Sequence, residues 1–403
     1  MLTTCSGTPL YRFAISQYNK AIRLLRRRLA CETHSAVVTL TLGVLFICIE
    51  CLRGDLKEAL AHIEAGAAIL NMHLLQQTGI AQYPNIVSIE EALVDVFSRL
   101  SIQSSICGRH WAYPSAERAS YLQERSCETT PFVTCQEARN ALDVLMNDVY
   151  GLIREALPFK HGNCLSFPDE LSAKRDVFLP RLCSWKLRLD SLLGINCTIL
   201  TAQDVRGFTM LRILHTITTI WASTALAFDE TAWDDYLEHF RTIISLTESL
   251  TGVAGYESDA ALLKPSPLRE REQLNLHDIF TFEMGTMPVV YLTALKCRCP
   301  RARRQAVHLL SILRPRREGL WDSRQLIKIA NRVIKLEEVG TRTSATANKV
   351  ECGQSLRESW PGEEYRVHGV RILAGHSNGE RIQTIEMTTR VGGDWNVLTE
   401  SIS

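Results

Sequence analysis

Almost no surplus of either charge is present in this 403-residue chain, with 45 Lys and Arg standing against 44 Asp and Glu. That balance excludes the chain-wide basic field of an autonomous nucleic-acid binder, although a local basic patch is compatible with it. Aromatic residues amount to 7% and are not interleaved with the basic strings, so single-strand stacking surfaces are not indicated. No apolar run reaches the roughly 20 residues that a bilayer span needs. The most apolar stretch, Ala36 to Leu52, carries Thr39, Thr41, Gly43 and Glu50 and is expected to be a buried core helix. The opening MLTTCSGTPLYRFAIS lacks a charged segment followed by an apolar run and a small-residue cleavage site. No secretory signal is predicted, therefore, and the chain is expected to stay inside the cell.

The signatures of common chemistries are missing as well. There is no G-x-S-x-G elbow, no Walker loop and no G-x-G-x-x-G after a strand, so neither acyl transfer by a serine nucleophile nor nucleotide binding has support. The cysteines number 13, an odd count, which in a chain without an export signal argues for reduced thiols rather than a disulfide framework. The close pairs Cys48/Cys51 and Cys297/Cys299 lack the further ligands of a zinc site. His62 and His73 share a helix without a nearby carboxylate pair and read as ordinary packed or surface histidines. No catalytic residue, cofactor site or metal site is predicted.

What the sequence does contain is helical spacing. Tyr11, Ile15, Tyr18, Ile22, Leu25 and Leu29 fall on one helix face, opposite Lys20, Arg23, Arg27 and Arg28. Arg53-Gly54 stops the apolar helix, and Asp55 with Glu58 forms a capping-box pattern that starts another through Leu56, Leu60, Ile63, Ala67, Leu70 and Leu74. The two form an antiparallel hairpin. Capping boxes at Ser88/Glu91 and Thr134/Glu137, with Pro84 and Pro131 before them, predict helices over about 88–107 and 135–157. Phe178, Leu182, Trp185, Leu189 and Leu192 mark another helix. Further helices are expected over 202–228 and 232–250, with Thr201 and Thr231 as caps, near Pro288, after Pro300, and from Asp322 to Glu338, where Asp322 and Gln325 would form the cap. The stretch 252–273 reads as a loop.

Residues 340–362 are polar and non-periodic, as in a linker. Beyond them YRVHGVRIL, RIQTIEMTT and DWNVLTE alternate with turn signals at Ser377-Asn378-Gly379 and Gly392-Gly393-Asp394, as in a small antiparallel meander. The expected fold class is all-α: a multi-helix domain of antiparallel hairpins over 1–339, a linker over 340–362 and a small β-rich tail over 363–403.

The opening QYNKAIRLLRRRL with LTLGVLFICIECLRGDLKEALAHIEAGAAIL, the late CRCPRARRQAVHLLSILRPRREGLWDSRQLIKIANRVIKLEE and the β-like tail together resemble the regulatory, or middle-homology, domain of fungal six-cysteine zinc-cluster transcription factors. The resemblance lies in packing pattern and order, and none of these stretches is a catalytic signature. That family's DNA-reading part needs six cysteines spaced as C-x2-C-x6-C twice near the N-terminus, whereas the first thirty residues here hold only Cys5. Without thiolates to hold zinc, such a cluster has no folding energy. The resemblance therefore implies a nuclear, non-enzymatic regulator of transcription, often of a metabolic or secondary-metabolite gene cluster. It would work through a zinc-cluster factor or a coactivator, with self-association as a further route, and without specific DNA binding or membrane attachment of its own.

Two rival readings stand beside it. Asp234-Asp235-Tyr236-Leu237-Glu238 is a D-D-x-x-E string of the kind that holds Mg²⁺ against a diphosphate in class I terpene cyclases, and Asn147 to Glu155 approximates their second metal motif. The order of the two motifs is reversed, however, and Gly151 replaces a hydroxyl ligand. The other reading is a truncated or degenerate regulator. The basic strings Arg26-Arg27-Arg28, Arg301-Ala302-Arg303-Arg304 and Arg314-Pro315-Arg316-Arg317 fit nuclear import or phosphate contact, but a solvated helix face or helix end is the plainer expectation.

Overall fold

A computed structural model describes residues 9–29, 35–77, 89–108, 130–162, 164, 166–196, 200–252, 280–313, 317–344, 360–377 and 380–402. Eleven α-helices and a three-stranded antiparallel sheet lie within them. The all-α class with a β tail is thus what the chain adopts. Cys5, the Ser88 cap, Pro84, most of the 252–273 loop, the 345–359 part of the linker, Asn378-Gly379 and Arg314 to Arg316 fall outside the described residues. The chain divides into two compact units, 1–104 and 105–403.

In the first unit, Gly54 decides where the early helices turn. α1 (Pro9–Leu29), α2 (Ala36–Arg53), α3 (Leu56–Gln77) and α4 (Ile89–Ile106) follow in order. Gly54 takes φ 72°, the left-handed conformation that costs glycine nothing, and its N–H reaches Cys51 O. Asp55 Oδ1 then accepts the Glu58 N–H at 3.3 Å, starting α3. Leu40, Phe46, Ile47 and Cys51 of α2 meet Leu60, Ile63, Ala67 and Leu70 of α3, all buried. Tyr18 of α1 sets its ring 5.2 Å from Phe46 and its hydroxyl 3.2 Å from His62 Nε2.

The expectation that α2 is a buried core helix, too short for a bilayer span, is corrected. This helix has the length and hydropathy to cross a bilayer, yet only 33% of it is buried. Val38 and Leu45 are 44% and 52% exposed, because α3 covers one face of a helix that is apolar on nearly all sides. Gly66 of α3 is tightly packed: a Cβ there would stand 2.4 Å from the buried Phe97 ring of α4.

In the second unit α5 (Cys135–His161), α6 (Asp169–Asn196), α7 (Ala202–Thr224) and α8 (Leu237–Thr251) pack successively, with α5 also against α7, and a 3-10 helix (Glu230–Tyr236) lies between α7 and α8. Ala138, Leu142, Met146, Val149 and Leu152 form the buried stripe of α5, and Leu182, Trp185, Leu189 and Leu192 that of α6. Trp185 donates its indole N–H to Ala138 O at 2.9 Å. The caps at Thr134 and Thr201 form as their residue spacing implies.

Several boundaries differ from expectation. α5 runs through Pro158 into its last turn, and α6 begins at Asp169, ahead of its apolar stripe. Thr231 is not a cap but lies inside the 3-10 helix, whose N-cap is Asp229.

α9 (Met287–Lys296) and α10 (Pro300–Ile312) come next, then a two-residue ribbon of β1 (Arg317–Glu318) with β2 (Trp321–Asp322), and α11 (Ser323–Ser344). Glu318 is buried and accepts the Gly285 and Met287 N–H groups at 3.1 and 2.9 Å, capping α9 from outside the helix. A second short 3-10 helix (Glu363–Tyr365) leads into β3 (Val367–Ser377), β4 (Glu380–Val391) and β5 (Asp394–Ile402), paired in the order β3-β4-β5. Gly392 and Gly393, at φ 62° and 96°, close the β4–β5 hairpin, the two positive values that a type I′ turn requires. Ile385 and Met387 bury one face of the sheet. The sheet belongs to the same compact unit as the helices from α5 onward.

Gly66→Ala is expected to lower the stability of the first unit by about 1–3 kcal/mol through overpacking against Phe97. Urea unfolding checks this, and Phe97→Leu in the same chain should cost less than the sum of the two single changes because each relieves the other.

Candidate functional site

The richest grouping of charged side chains in the described residues lies where the tail meets the helices, and it begins with a local sequence feature. α9 ends at Lys296 and α10 restarts at Pro300, whose fixed φ suits the first helical position and holds the preceding residue extended. Cys297 and Cys299 are both extended, at φ −78° and −61°, so Arg298 is carried between two helices and its side chain runs into the interior with no exposure.

There Arg298 meets two carboxylates, Glu337 at 3.0 Å and Glu230 at 3.2 Å. Glu337 comes from α11, one step beyond the buried stripe Leu326, Ala330 and Val333, and it also binds Arg303 at 2.8 Å. Lys296 donates to Glu230 at 2.7 Å and to the His368 carbonyl at 2.6 Å, with the Trp233 ring 5.3 Å away. The tail completes the arrangement. Val367 N–H donates to Glu337 at 2.9 Å. Arg366, itself buried, holds Asp234 through two bonds of 2.8 and 2.7 Å and reaches the Glu230 and Pro361 carbonyls. Glu363 accepts the Glu230 and Thr231 N–H groups at 3.0 and 3.1 Å, capping the 3-10 helix, and stands 2.8 Å from His368 Nε2.

Four cations, Lys296, Arg298, Arg303 and Arg366, thus face four carboxylates, Glu230, Asp234, Glu337 and Glu363. Burial alone would push the Glu230 carboxyl up, but the Lys296 and Arg298 charges, helped by His368, outweigh it and hold it at about 2. For Glu337 burial opposes ionisation in the same way, and Arg298 and Arg303 overcome it. Lys160, at the end of α5, lies near the same group, and burial lowers its pKa against the attraction of Glu230. The neighbouring His161 ring is 4.4 Å from Trp395, which in turn lies 4.9 Å from His368. Lys296, Arg298, Arg303 and Arg366 each pair with a carboxylate. What this constellation does physically is fix the sheet to α9, α10 and α11.

Most of the residues that the sequence offered as cyclase ligands are engaged by basic partners. Asp234 is taken up by Arg366, Glu238 by Arg241 at 2.6 Å, and Asp235 is exposed. In the second string Asn147 donates to the Asp143 carbonyl, Asp148 pairs with Arg181 and Glu155 with Lys174. Burial nonetheless raises the Asp148 pKa to about 6, against the pull of Arg181. Among the described residues no group of three or more His, Cys, Asp or Glu side chains is placed to hold a metal ion. Burial pushes the Cys48 thiol up to about 11 and the Cys297 thiol up to about 12, which makes both poor nucleophiles and poor ligands.

The Arg301–Arg304 string lies at the N-terminal end of α10, as expected of a helix end, but the expectation that it is solvated is corrected. Arg303 is 1% exposed and ion-paired with Glu337, and Arg304 pairs with Glu338, so this string is partly interior rather than a solvated face. Arg26 and Arg27 of α1 are exposed. Sequence reasoning passed over Glu230, Arg298, Glu337 and Arg366. One signal for Glu337 was present: it continues the three-and-four spacing of an apolar stripe, where a carboxylate needs a buried counter-charge.

Glu337→Gln should destabilise the second unit by about 3–5 kcal/mol, because it leaves two buried guanidinium groups undercompensated. Chemical denaturation checks this. The Glu230 carboxyl lies below its ordinary value of 4.5 when folded, so its stabilising contribution is complete above that pH and is lost as the pH falls toward about 2. Unfolding free energy followed from pH 5 to pH 2 should therefore fall more steeply in the unaltered protein than in Glu230→Gln.

No protein-family model and no solved structure matches the chain. It is similar to the aspercryptin biosynthesis cluster-specific transcription regulator of Emericella nidulans, at 22% identity over 399 residues, covering 83% of this chain. The chain spans 64% of that regulator's length.

Proposed function

We propose that the chain is a non-enzymatic transcriptional regulator acting in the nucleus on a fungal biosynthetic gene cluster, through protein partners rather than by reading DNA itself. The observation that carries this reading is the similarity to a cluster-specific regulator along 83% of the chain. Three features agree with it. Charge is nearly balanced overall, which suits protein contacts better than a phosphate backbone. Asp234, Glu238, Asp148 and Glu155, four of the carboxylates with catalytic spacing, are committed to ion pairs. Exposed apolar side chains on α2, together with the exposed basic face of α1, offer surface for a macromolecular partner. A zinc-cluster factor or a coactivator is the partner this reading calls for.

Deleting the gene in its own host and sequencing the transcripts tests the reading. Loss or gain of transcripts from one contiguous set of biosynthetic genes is expected, with a fluorescently tagged chain concentrated in the nucleus. An unchanged transcript profile would overturn it.

A further inference from the structure

The two edges of the β3-β4-β5 sheet are unlike. On the β3 edge, charged side chains occupy the main chain where the strand begins: Glu337 accepts Val367 N–H, Arg298 reaches the Val367 carbonyl at 3.4 Å and Lys296 takes the His368 carbonyl. The register also shifts between Val367 and Gly369, a further device that stops strands from adding. On the β5 edge none of this is found. The strand is nine residues long, longer than the usual five or six. Its sequence, DWNVLTESI, holds no Lys or Pro, residues that commonly protect an edge, and its two charges are Asp394 at its start and Glu400, which Arg332 holds. Among the described residues no other strand lies beside it and no side chain or loop takes up its outward main-chain groups. Val397 and Leu398, at its centre, are 61% and 42% exposed.

We infer that β5 is a self-association edge, on which a second copy of this chain pairs antiparallel to form a continuous six-stranded sheet. The strand is self-complementary in one register of full overlap, which fits a second copy as the occupant. With the two-fold axis on Leu398, all nine residues overlap: Asp394 lies opposite Ile402, Asn396 opposite Glu400, Val397 opposite Thr399 and Leu398 opposite itself. No like charges meet. Moving the axis to Val397 would set Asp394 against Glu400 twice, which cross-strand electrostatics disfavours. Glu400 is already neutralised by Arg332 of α11, which grips it through two nitrogens, so it brings no bare charge into the seam. The axis on Leu398 stands perpendicular to the sheet and keeps α11 of both copies on one face, leaving Val397 and Thr399 together on the other. The pairing satisfies outward N–H and C=O groups that otherwise face water and adds β-branched cross-strand contacts.

The test uses the full chain and two double variants at exposed positions, Val397→Lys with Thr399→Lys, and Val397→Glu with Thr399→Glu. Sedimentation equilibrium at micromolar concentration is expected to show a dimer for the unaltered chain. Each double variant sets like charges opposite one another on both sides of the axis and should weaken dimerisation about tenfold or more. An equimolar mixture of the two should recover a dimer as Lys meets Glu, a recovery that misfolded variants would not give. A monomeric unaltered chain would overturn the inference, as would a dimer indifferent to both variants, which must use another face. So would a monomer whose β5 amides resist hydrogen exchange, because the chain's own residues then cover the edge. A monomeric result would leave the transcriptional reading untouched.

Discussion

The second unit is organised around a guanidinium without access to water. Arg298 cannot shed its charge, and a buried cation is tolerated only where carboxylates and carbonyls surround it. Glu230 and Glu337 fill that need, and each brings further obligations: Glu337 also faces Arg303 and the Val367 N–H, and Glu230 also faces Lys296. The elements linked in this way are α9, α10, α11, the 3-10 helix at 230–236 and the first strand of the sheet. Apolar packing between helices tolerates sliding by small amounts, whereas charge-assisted hydrogen bonds of 2.6 to 3.0 Å do not. The network therefore fixes register where the hydrophobic core supplies cohesion.

Much of the fold was legible because local chemistry decides it. Gly54 and Asp55 dictate the α2–α3 turn, Thr134 and Thr201 cap helices beside their own sequence, and Gly392-Gly393 sets a hairpin whose two positive φ values few other residues accept. The errors cluster where a distant residue takes over a local role. Thr231 has the right chemistry for a cap, yet the N–H groups at that helix start are claimed by Glu363, more than 130 residues away. Arg303 stands in a string that looks solvated. It shares the three-and-four spacing of the buried Ala306 and Leu310, and its counter-charge comes from another helix. No window of sequence contains both partners of such pairs.

The candidate site was less legible than the fold for the same reason. Carboxylates at metal-like spacing, Asp234, Asp235 and Glu238, invite a catalytic reading from sequence, and the deciding fact is Arg366, which binds Asp234 from the tail. A motif states which groups are near one another along the chain. It does not state which of them are already engaged from elsewhere.

The placement of Glu363 and Arg366 has a consequence for synthesis of the protein. Arg366 reaches back 136 residues to the Glu230 carbonyl, so the 3-10 helix gains its cap and Asp234 its partner only once residues 363 to 366 have left the ribosome. Until then the helices of the second unit carry charges whose partners have not been made, and closing contacts at such separation is slow. The nascent chain must therefore pass through a stage in which its helices are present but not locked, when chaperones have most to act on and a prematurely ended chain is most readily degraded.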